Sequence, residues 1–180
     1  DPDELRQLAR GELKPVPEQL ADRANMPGID LGTLDGKDVL LLGAGGGQQS
    51  AVFGLLGARV TVIELSSRQL DGDREAAAHY GYKLTAIHGD MQDLSCLDDE
   101  SFDIVHTLGI CYVPDLRQVY AEIGRVLRPG GLLQIGFNQP AVQCIAGDAT
   151  GYRISRPYHE RVDPSRSAVV EFRHYMDEIF

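Results

Sequence analysis

Three short stretches of this chain combine residue types that bind nucleotide-like ligands. The first is a glycine-rich loop that follows an apolar run and opens a helical pattern; its residues are Gly43, Ala44, Gly45, Gly46, Gly47 and Gln48. Glycines at such a junction let the backbone approach a ligand closely, and the first N–H groups of the helix can face its polar atoms. The loop therefore predicts a nucleotide-like ligand.

The other two stretches each place a carboxylate after an apolar run. Glu64 comes about 20 residues after the loop, where a carboxylate can accept hydrogen bonds from both hydroxyls of a ribose. Asp90 has Gly89 before it and Met91 after it, so a hydrogen bond and an apolar wall can meet an adenine ring. Each stretch also has a purely structural interpretation, as a tight turn, a solvated Glu64 or a turn Asp90. Their succession along one chain favours the ligand.

The spacing of the glycines separates two classes of nucleotide-binding protein. Positions 43, 45 and 47 fit G-x-G-x-G, whereas the dinucleotide pattern G-x-G-x-x-G needs glycine at position 48, which is Gln48. An NAD-dependent oxidoreductase is therefore a weaker alternative, although it stays open. The phosphate-binding loop of nucleoside triphosphatases is not matched, because no Lys-Ser or Lys-Thr follows the glycines.

These stretches lie between strand-like and helix-like segments that alternate along the chain. Strands are predicted at 39–42, 59–63, 83–87, 101–106 and 132–137, and helices at 50–56, 66–80 and 116–127. Ser66 and Gln69 match a capping box at the second helix. Such alternation predicts an open, doubly wound, mostly parallel α/β sheet with helices on both faces, whose ligands bind at the carboxyl ends of the strands.

Length and charge limit the protein's organisation and partners. The 180 residues suit one domain, which we divide into an N-terminal helical lid (1–36), a cofactor-binding core (37–137) and an acceptor-side segment (138–180). The net charge of −10 repels phosphate backbones, so no nucleic acid partner is expected. No apolar run is long enough for a bilayer, which predicts a cytoplasmic protein without a membrane partner. The histidines and cysteines lack metal-ligand spacing, so no metal is predicted.

The ordered motifs resemble those of the class I S-adenosylmethionine-dependent methyltransferases over about residues 38–137. The resemblance rests on the segments 39–47, 60–66, 89–91, 102–105 and 126–131, and with Gln48-Gln49-Ser50 it is greatest to uncharacterised bacterial members. It implies a Rossmann-like fold, S-adenosylmethionine as cofactor and S-adenosylhomocysteine as product. It also implies that the loop 43–47 holds the methionine part of the cofactor and that Glu64 holds the ribose. Further cofactor-binding residues implied by it are Leu65, Asp90, Met91, Thr107 and Leu108.

Two departures from the family pattern stand out. An acidic residue often lies two positions before the first glycine, but this position is Leu41, so Gln48 or a backbone carbonyl is expected to bind the amino group of the cofactor instead. The family fold also ends with a further helix and an antiparallel pair of strands. The segment 171–178 resembles the beginning of that helix, so the C-terminal strands are expected to be missing from this chain.

The predicted reaction needs no dedicated acid or base. Methyl transfer from a sulfonium is an in-line displacement that is accelerated by alignment of its reactants and exclusion of water. The catalytic residue is therefore unknown: His106 is a candidate base, with a structural histidine as the alternative, and Tyr112 is a candidate aromatic cover. We expect a methyltransferase with an unidentified small-molecule acceptor. An NAD-dependent oxidoreductase and a non-catalytic cofactor-binding module are the alternatives, and the oligomeric state stays open.

Overall fold

The computed structural model describes residues 1–9, 34–43, 46–137, 144–155, 157, 162–163 and 171–172. The helices are α1 (Pro2–Ala9), α2 (Gln48–Leu55), α3 (Ser67–Tyr80) and α4 (Leu116–Val126), with a short 3₁₀ helix at Ile110–Tyr112. The strands of the central sheet are β1 (Asp38–Leu42), β2 (Arg59–Glu64), β3 (Leu84–His88), β4 (Phe102–Thr107) and β5 (Leu127–Ile135). Three of the helices connect these strands.

The central sheet is parallel throughout, with the strand order β3-β2-β1-β4-β5. In the register of β1, Leu42 faces Ile63 on one side and Thr107 on the other. The carboxyl ends of three strands therefore meet at one edge. The predicted fold class, a doubly wound α/β sheet, is confirmed.

Strand β1 is apolar from Val39 to Leu42 because helices cover both faces of the sheet. Leu41 packs with Phe53 of α2 on one face, and Leu42 packs with Val119 of α4 on the other. All of these side chains are fully buried. Each buried leucine contributes about 1.5–3 kcal/mol to folding, so the two cores hold β1 firmly in place.

The predicted capping box at α3 is half right. Ser66 Oγ accepts from the backbone N–H of Gln69 (3.4 Å), as expected. Gln69 does not reach back to the N–H of Ser66, which donates instead to Glu64 Oε1 (2.9 Å). The side-chain oxygen of Gln69 lies against Gly46. The carboxylate is the stronger acceptor, because it is ionised, and it comes directly before the cap.

Strand β5 begins earlier than predicted. Leu127 pairs with Phe102 and Leu132 pairs with Ile104, so the residues between them form an irregularity in the strand. Pro129 lacks an N–H group for the ladder and Gly130 has φ of 80°, which explains why the pairing is interrupted here.

The region after β5 contains strand pairs that the sequence pattern did not reveal. Strands β6 (Ile145–Asp148) and β7 (Gly151–Ile154) form an antiparallel hairpin. At its turn, Asp148 Oδ1 accepts from the backbone N–H of Thr150 (2.8 Å). Strands β8 (Val162–Asp163) and β9 (Glu171–Phe172) form a second antiparallel pair. The predicted helix at 171–178 is therefore wrong for its first two residues, which belong to β9, and the rest of it lies outside the described residues.

Charged side chains join four strands, β1, β2, β4 and β5, at the amino end of the sheet. Asp38 accepts from Arg59 Nε (2.7 Å) and from Arg128 (2.9 Å). Asp103 accepts from the backbone N–H of Asp38 and pairs with Arg128, both at 2.9 Å. The hydrogen bond from Arg59 is the largest cause that lowers the pKa of Asp38, against a smaller opposing effect of burial.

In the described residues, no helix is long and apolar enough to cross a membrane.

We expect Asp38→Asn to lower the free energy of unfolding at pH 7 by about 0.5–1 kcal/mol, because solvent partly screens these ion pairs. The folded-state pKa of Asp38 lies below its ordinary value of 3.8, so its contribution is present above that value and is lost as the pH falls through the folded pKa. The gap between wild type and variant should thus narrow from pH 7 to pH 3 in urea titrations.

The matched control is Asp71→Asn, which removes an exposed i,i+3 pair with Arg74. This variant should unfold like the wild type at both pH values. An equal loss in both variants, or a gap for Asp38→Asn that does not change with pH, would contradict the role of this network.

Candidate functional site

A cavity of about 760 Å³ lies at the carboxyl ends of β1, β2, β3 and β4. Parallel pairing brings together the residues that follow each strand, so four separate segments of sequence form its walls. The predicted site residues that line it are Gly43, Gln48, Glu64, Leu65, Asp90, Met91, Leu108 and Tyr112. Gln49, Ile63, Ser66, Gln69, Gly89, Gln92, Val113 and Pro114 complete the lining.

Five predicted residues are not among the lining residues. Ala44 and Gly45 lie outside the described residues. Gly47 is buried at the start of α2, behind the cavity wall. Thr107 is also buried, and its Oγ accepts from the backbone N–H of Gly109 (3.0 Å), which fixes the turn after β4. The fifth residue, His106, is described below.

The floor of the cavity is made by backbone and one flexible side chain. Gly43 has φ of 64°, a conformation that favours glycine, and an added Cβ there would lie 3.1 Å from Met91 Cε. A Cβ on Gly109 would lie 3.0 Å from the same atom. Side chains at either glycine would therefore fill space next to Met91. Sequence analysis did not identify Gly109, because its position next to Met91 depends on how the strands pack in the folded sheet.

The carboxylate of Glu64 has a fixed orientation. Its Oε1 accepts from the backbone N–H of Ser66 (2.9 Å), a bond that uses one of its two oxygens. Leu65 beside it is 68% exposed, so its apolar side chain is open to a ligand in the cavity. The carbonyl of Leu65 is hydrogen bonded to His88 Nε2 (2.8 Å), which ties this segment to the end of β3.

A second carboxylate, that of Asp90, is held from both sides by one residue. Asp90 Oδ1 accepts from the backbone N–H of Gln92 (2.9 Å), and Oδ2 accepts from its side-chain amide (3.0 Å). The carbonyl of Gln92 in turn accepts from Gln118 of α4 (2.9 Å). Gln92 therefore orients Asp90. Sequence analysis missed this role, because the two residues do not form a recognisable motif.

His106 lies inside the protein rather than at the cavity. Its ring is fully buried, 5.6 Å from the ring of Phe53, and Nδ1 lies 2.6 Å from Gln134 Oε1. An amide oxygen accepts only, so Nδ1 donates and Nε2 carries no proton in the neutral ring. Nε2 has no hydrogen-bond partner within the described part of the chain. Burial lowers the pKa of His106, against the opposing effect of Gln134. This environment favours a neutral, structural histidine.

Tyr112, the other catalytic candidate, does line the cavity. It follows β4 in the 3₁₀ helix, and its side chain is 48% exposed. Its backbone N–H donates to the carbonyl of Gly109 (2.9 Å), which holds the segment close to the floor. Tyr112 therefore forms part of the exposed wall of the cavity. Groups of three or more His, Cys, Asp or Glu that could bind a metal are absent from the described ranges.

The arrangement fits a ligand that contains a nucleoside. The cavity combines two oriented carboxylates, Glu64 and Asp90, with the apolar surfaces of Leu65 and Met91. Ligand sites commonly pair a mostly apolar wall with a few fixed polar groups. The backbone-level floor at Gly43 leaves room for the remaining part of the ligand.

The burial of His106 gives a pH-dependent prediction. Because its pKa in the folded state is below the ordinary value of 6.5, the unfolded state takes up a proton first as the pH falls. The contribution of His106 to the free energy of unfolding is therefore fully present above about pH 6.5. Below that pH it declines by at most about 1.4 kcal/mol per pH unit, the value for one proton. We expect His106→Gln to reduce this decline between pH 7.5 and 5.5, measured by urea unfolding.

His79→Gln serves as the control, because His79 is exposed on α3. It should keep the decline of the wild type. A His106→Gln variant with the same pH dependence as the wild type would show that this residue is not buried in its neutral form.

Comparisons with known proteins agree on one family. The sequence profile of a family described as "Methyltransferase domain" matches residues 40–135, more than half of the chain. An uncharacterised methyltransferase of Bacillus subtilis, YbaJ, is 43% identical over 110 residues, which are 61% of this chain and 43% of that protein. A ubiquinone biosynthesis O-methyltransferase of Pasteurella multocida is 30% identical over 134 residues, which are 69% of this chain and 55% of that protein.

A solved structure has the same fold. The crystal structure of an S-adenosylmethionine-dependent methyltransferase from Mesorhizobium loti matches with a TM-score of 0.71 and 24% identity, over 89% of this chain and 78% of that one. The chain spans about half the length of the two curated relatives. The family match, over residues 40–135, includes the segments that form the cavity.

Proposed function

The chain belongs to the class I S-adenosylmethionine-dependent methyltransferases, and from this premise we propose that it transfers the methyl group of S-adenosylmethionine to a small-molecule acceptor. One observation carries the proposal: the cavity at the carboxyl ends of the strands combines Glu64, Asp90 and the apolar side chains beside them. The division into lid, core and acceptor-side segment is part of this proposal.

The adenosine end of the cofactor would lie at β2 and β3. Glu64 would accept from the ribose hydroxyls, since its carboxylate is oriented by Ser66 and lies at the wall of the cavity. Leu65 and Met91 would contact the two faces of the adenine, and Asp90, oriented by Gln92, would accept from its amino group. The two carboxylates are acceptors only, which suits a ligand rich in hydroxyl and amino donors.

The methionine end would lie at the glycine loop and at the segment after β4. The loop from Gly43 to Gly47, with Gln48 at the cavity wall, would hold the amino-acid part. Leu108 would line the side of the sulfonium, with Thr107 behind it fixing the turn. When bound, S-adenosylmethionine supplies a methyl group on a positively charged sulfur, a good leaving group for displacement by a nucleophile.

The protein's contribution to the reaction is alignment and exclusion of water, which can supply much of the acceleration of a displacement. Tyr112, Val113 and Pro114 provide a largely apolar wall beside the cavity for this purpose. The assignment of His106 as a base is not favoured, since its ring is fully buried. An acceptor whose nucleophilic atom is already deprotonated at pH 7 would need no base from the chain.

Two observations favour a small-molecule acceptor. The net charge of −10 opposes the approach of nucleic acid, and one relative is named for ubiquinone biosynthesis. The alternative of an NAD-dependent oxidoreductase is disfavoured by Gln48, which stands where the dinucleotide pattern requires glycine.

Calorimetry with S-adenosylmethionine, S-adenosylhomocysteine and NAD tests the cofactor. We expect the first two to bind, and Glu64→Ala to weaken both by roughly 10–100-fold, because hydrogen bonds to a charged group are worth about 1.5–3 kcal/mol. Glu75→Ala, which removes an exposed carboxylate of α3, is the control and should bind like the wild type. Preference for NAD, or equal affinities of Glu64→Ala and wild type, would refute the proposal.

A second comparison locates the methionine end. Gln48→Ala should weaken binding of S-adenosylhomocysteine by about five- to thirtyfold, the loss of one or two hydrogen bonds of about 1 kcal/mol each. The same variant should bind 5′-methylthioadenosine unchanged, since this ligand lacks the amino-acid part. If the variant loses affinity equally for both ligands, Gln48 contacts the nucleoside end instead. If it loses affinity for neither, the backbone binds the amino group of the cofactor.

A further inference from the structure

A buried polar cluster lies behind the glycine loop. Asp73 of α3 and Ser50 of α2 are both fully buried. Ser50 Oγ donates to Asp73 Oδ1 (2.5 Å) and lies 3.0 Å from the hydroxyl of Tyr82. Since the serine proton goes to the carboxylate, the tyrosine donates to the serine. The three side chains form a directed chain of hydrogen bonds that ends on Asp73.

The carboxylate of Asp73 has more acceptor capacity than this chain uses. Its Oδ2 is buried and has no hydrogen-bond partner of ordinary geometry among the described residues. Burial raises its pKa, whereas Ser50 and the backbone N–H groups of Gly47 and Gly46 act to lower it. The loop backbone that carries these N–H groups lies against α3 at Gly72, the residue before Asp73.

A buried carboxylate between two helices is unfavourable for the free energy of folding. Burying a charge costs several kcal/mol, and apolar residues of similar volume often stabilise a protein as well or better. Asp73 therefore suggests a role that apolar packing cannot fill. A carboxylate accepts hydrogen bonds and donates none, and the adjacent loop presents donors that are not used within a helix.

The loop and α3 are in close backbone contact at this point. Gly46 and Gly47 have φ of 86° and 100°. A Cβ on Gly47 would lie 2.8 Å from the carbonyl oxygen of Gly72, and a Cβ on Gly72 would lie 3.0 Å from that of Gly46. Gly72 costs an α-helix about 1 kcal/mol relative to alanine, and the close approach explains its presence in α3. Asp73 is the next residue, so its carboxylate lies beside the loop.

We propose that Asp73 is a positioning residue, whose carboxylate is aimed by Ser50 and Tyr82 at the N–H groups of Gly46 and Gly47 and holds the loop in its ligand-binding conformation. The inference rests on the proposed function for the identity of the ligand, but not for the order of the loop. Asp73 itself does not line the cavity and acts through the loop.

Asp73→Asn is the informative variant. The substitution keeps the volume of the side chain but removes its negative charge. An amide has one acceptor oxygen and one NH₂ group, so either Ser50 or the N–H groups of the loop lose their acceptor. In the ligand-free protein we expect the amides of Gly46 and Gly47 to exchange with solvent at least tenfold faster by NMR. Amides in β1 and β4 should be unchanged.

Ligand binding gives the second readout. Affinity for S-adenosylhomocysteine should fall by about tenfold in Asp73→Asn, with no change for Asp71→Asn, an exposed position on the same helix. Ser50→Ala, which leaves the carboxylate without its aiming bond, should show smaller changes in the same direction and serves if Asp73→Asn does not fold.

The outcomes separate the two proposals. Faster exchange confined to the loop supports the role of Asp73 even if the wild type fails to bind the ligand, a failure that would overturn the proposed function instead. If amide exchange in Asp73→Asn is unchanged in the loop, or is faster to the same extent throughout the sheet, Asp73 contributes only to general packing and the inference is overturned. The proposed function would still stand after such a result, provided that the wild type binds S-adenosylhomocysteine.

Discussion

The burial of β1 between two parallel neighbours determines where everything else lies. Because β1 pairs with β2 and β4 in register and is covered on both faces, none of its side chains from Val39 to Leu42 is available for chemistry. The polar side chains that line the cavity lie at the ends of these strands or follow them. Glu64 and the turn at Gly43 are therefore brought to one edge by the same packing that makes Leu41 and Leu42 the centre of the two cores.

The two edges of the sheet differ in their electrostatics. At the amino edge, Asp38 is neutralised by Arg59 and Arg128, and the result is a set of partly exposed ion pairs. At the carboxyl edge, Glu64 and Asp90 accept hydrogen bonds from uncharged neighbours, which orient the carboxylates without neutralising them. The first arrangement joins neighbouring strands, whereas the second leaves two oriented carboxyl groups at the cavity wall.

The sequence predicted the sheet and much of the cavity wall, because these depend on local patterns. Apolar runs gave the strands, and Glu64 was recognised from its distance to the glycines. Contacts between elements were not predictable in this way. Asp73 has the sequence context of a polar helix position, and its burial depends on how α3 lies against α2. His106 was a candidate base because it is near the end of β4, but the register turns its ring toward Phe53.

Gly72 illustrates a hazard for anyone who engineers this fold. Replacing a glycine inside a helix with alanine is a common way to make a protein more heat-resistant, since it restricts the unfolded chain and favours the helix. In α3 the added methyl group would meet the backbone of Gly46. Thermostability screens that score helix propensity alone would select this change, and the loop at Gly46 would have to move to accommodate it.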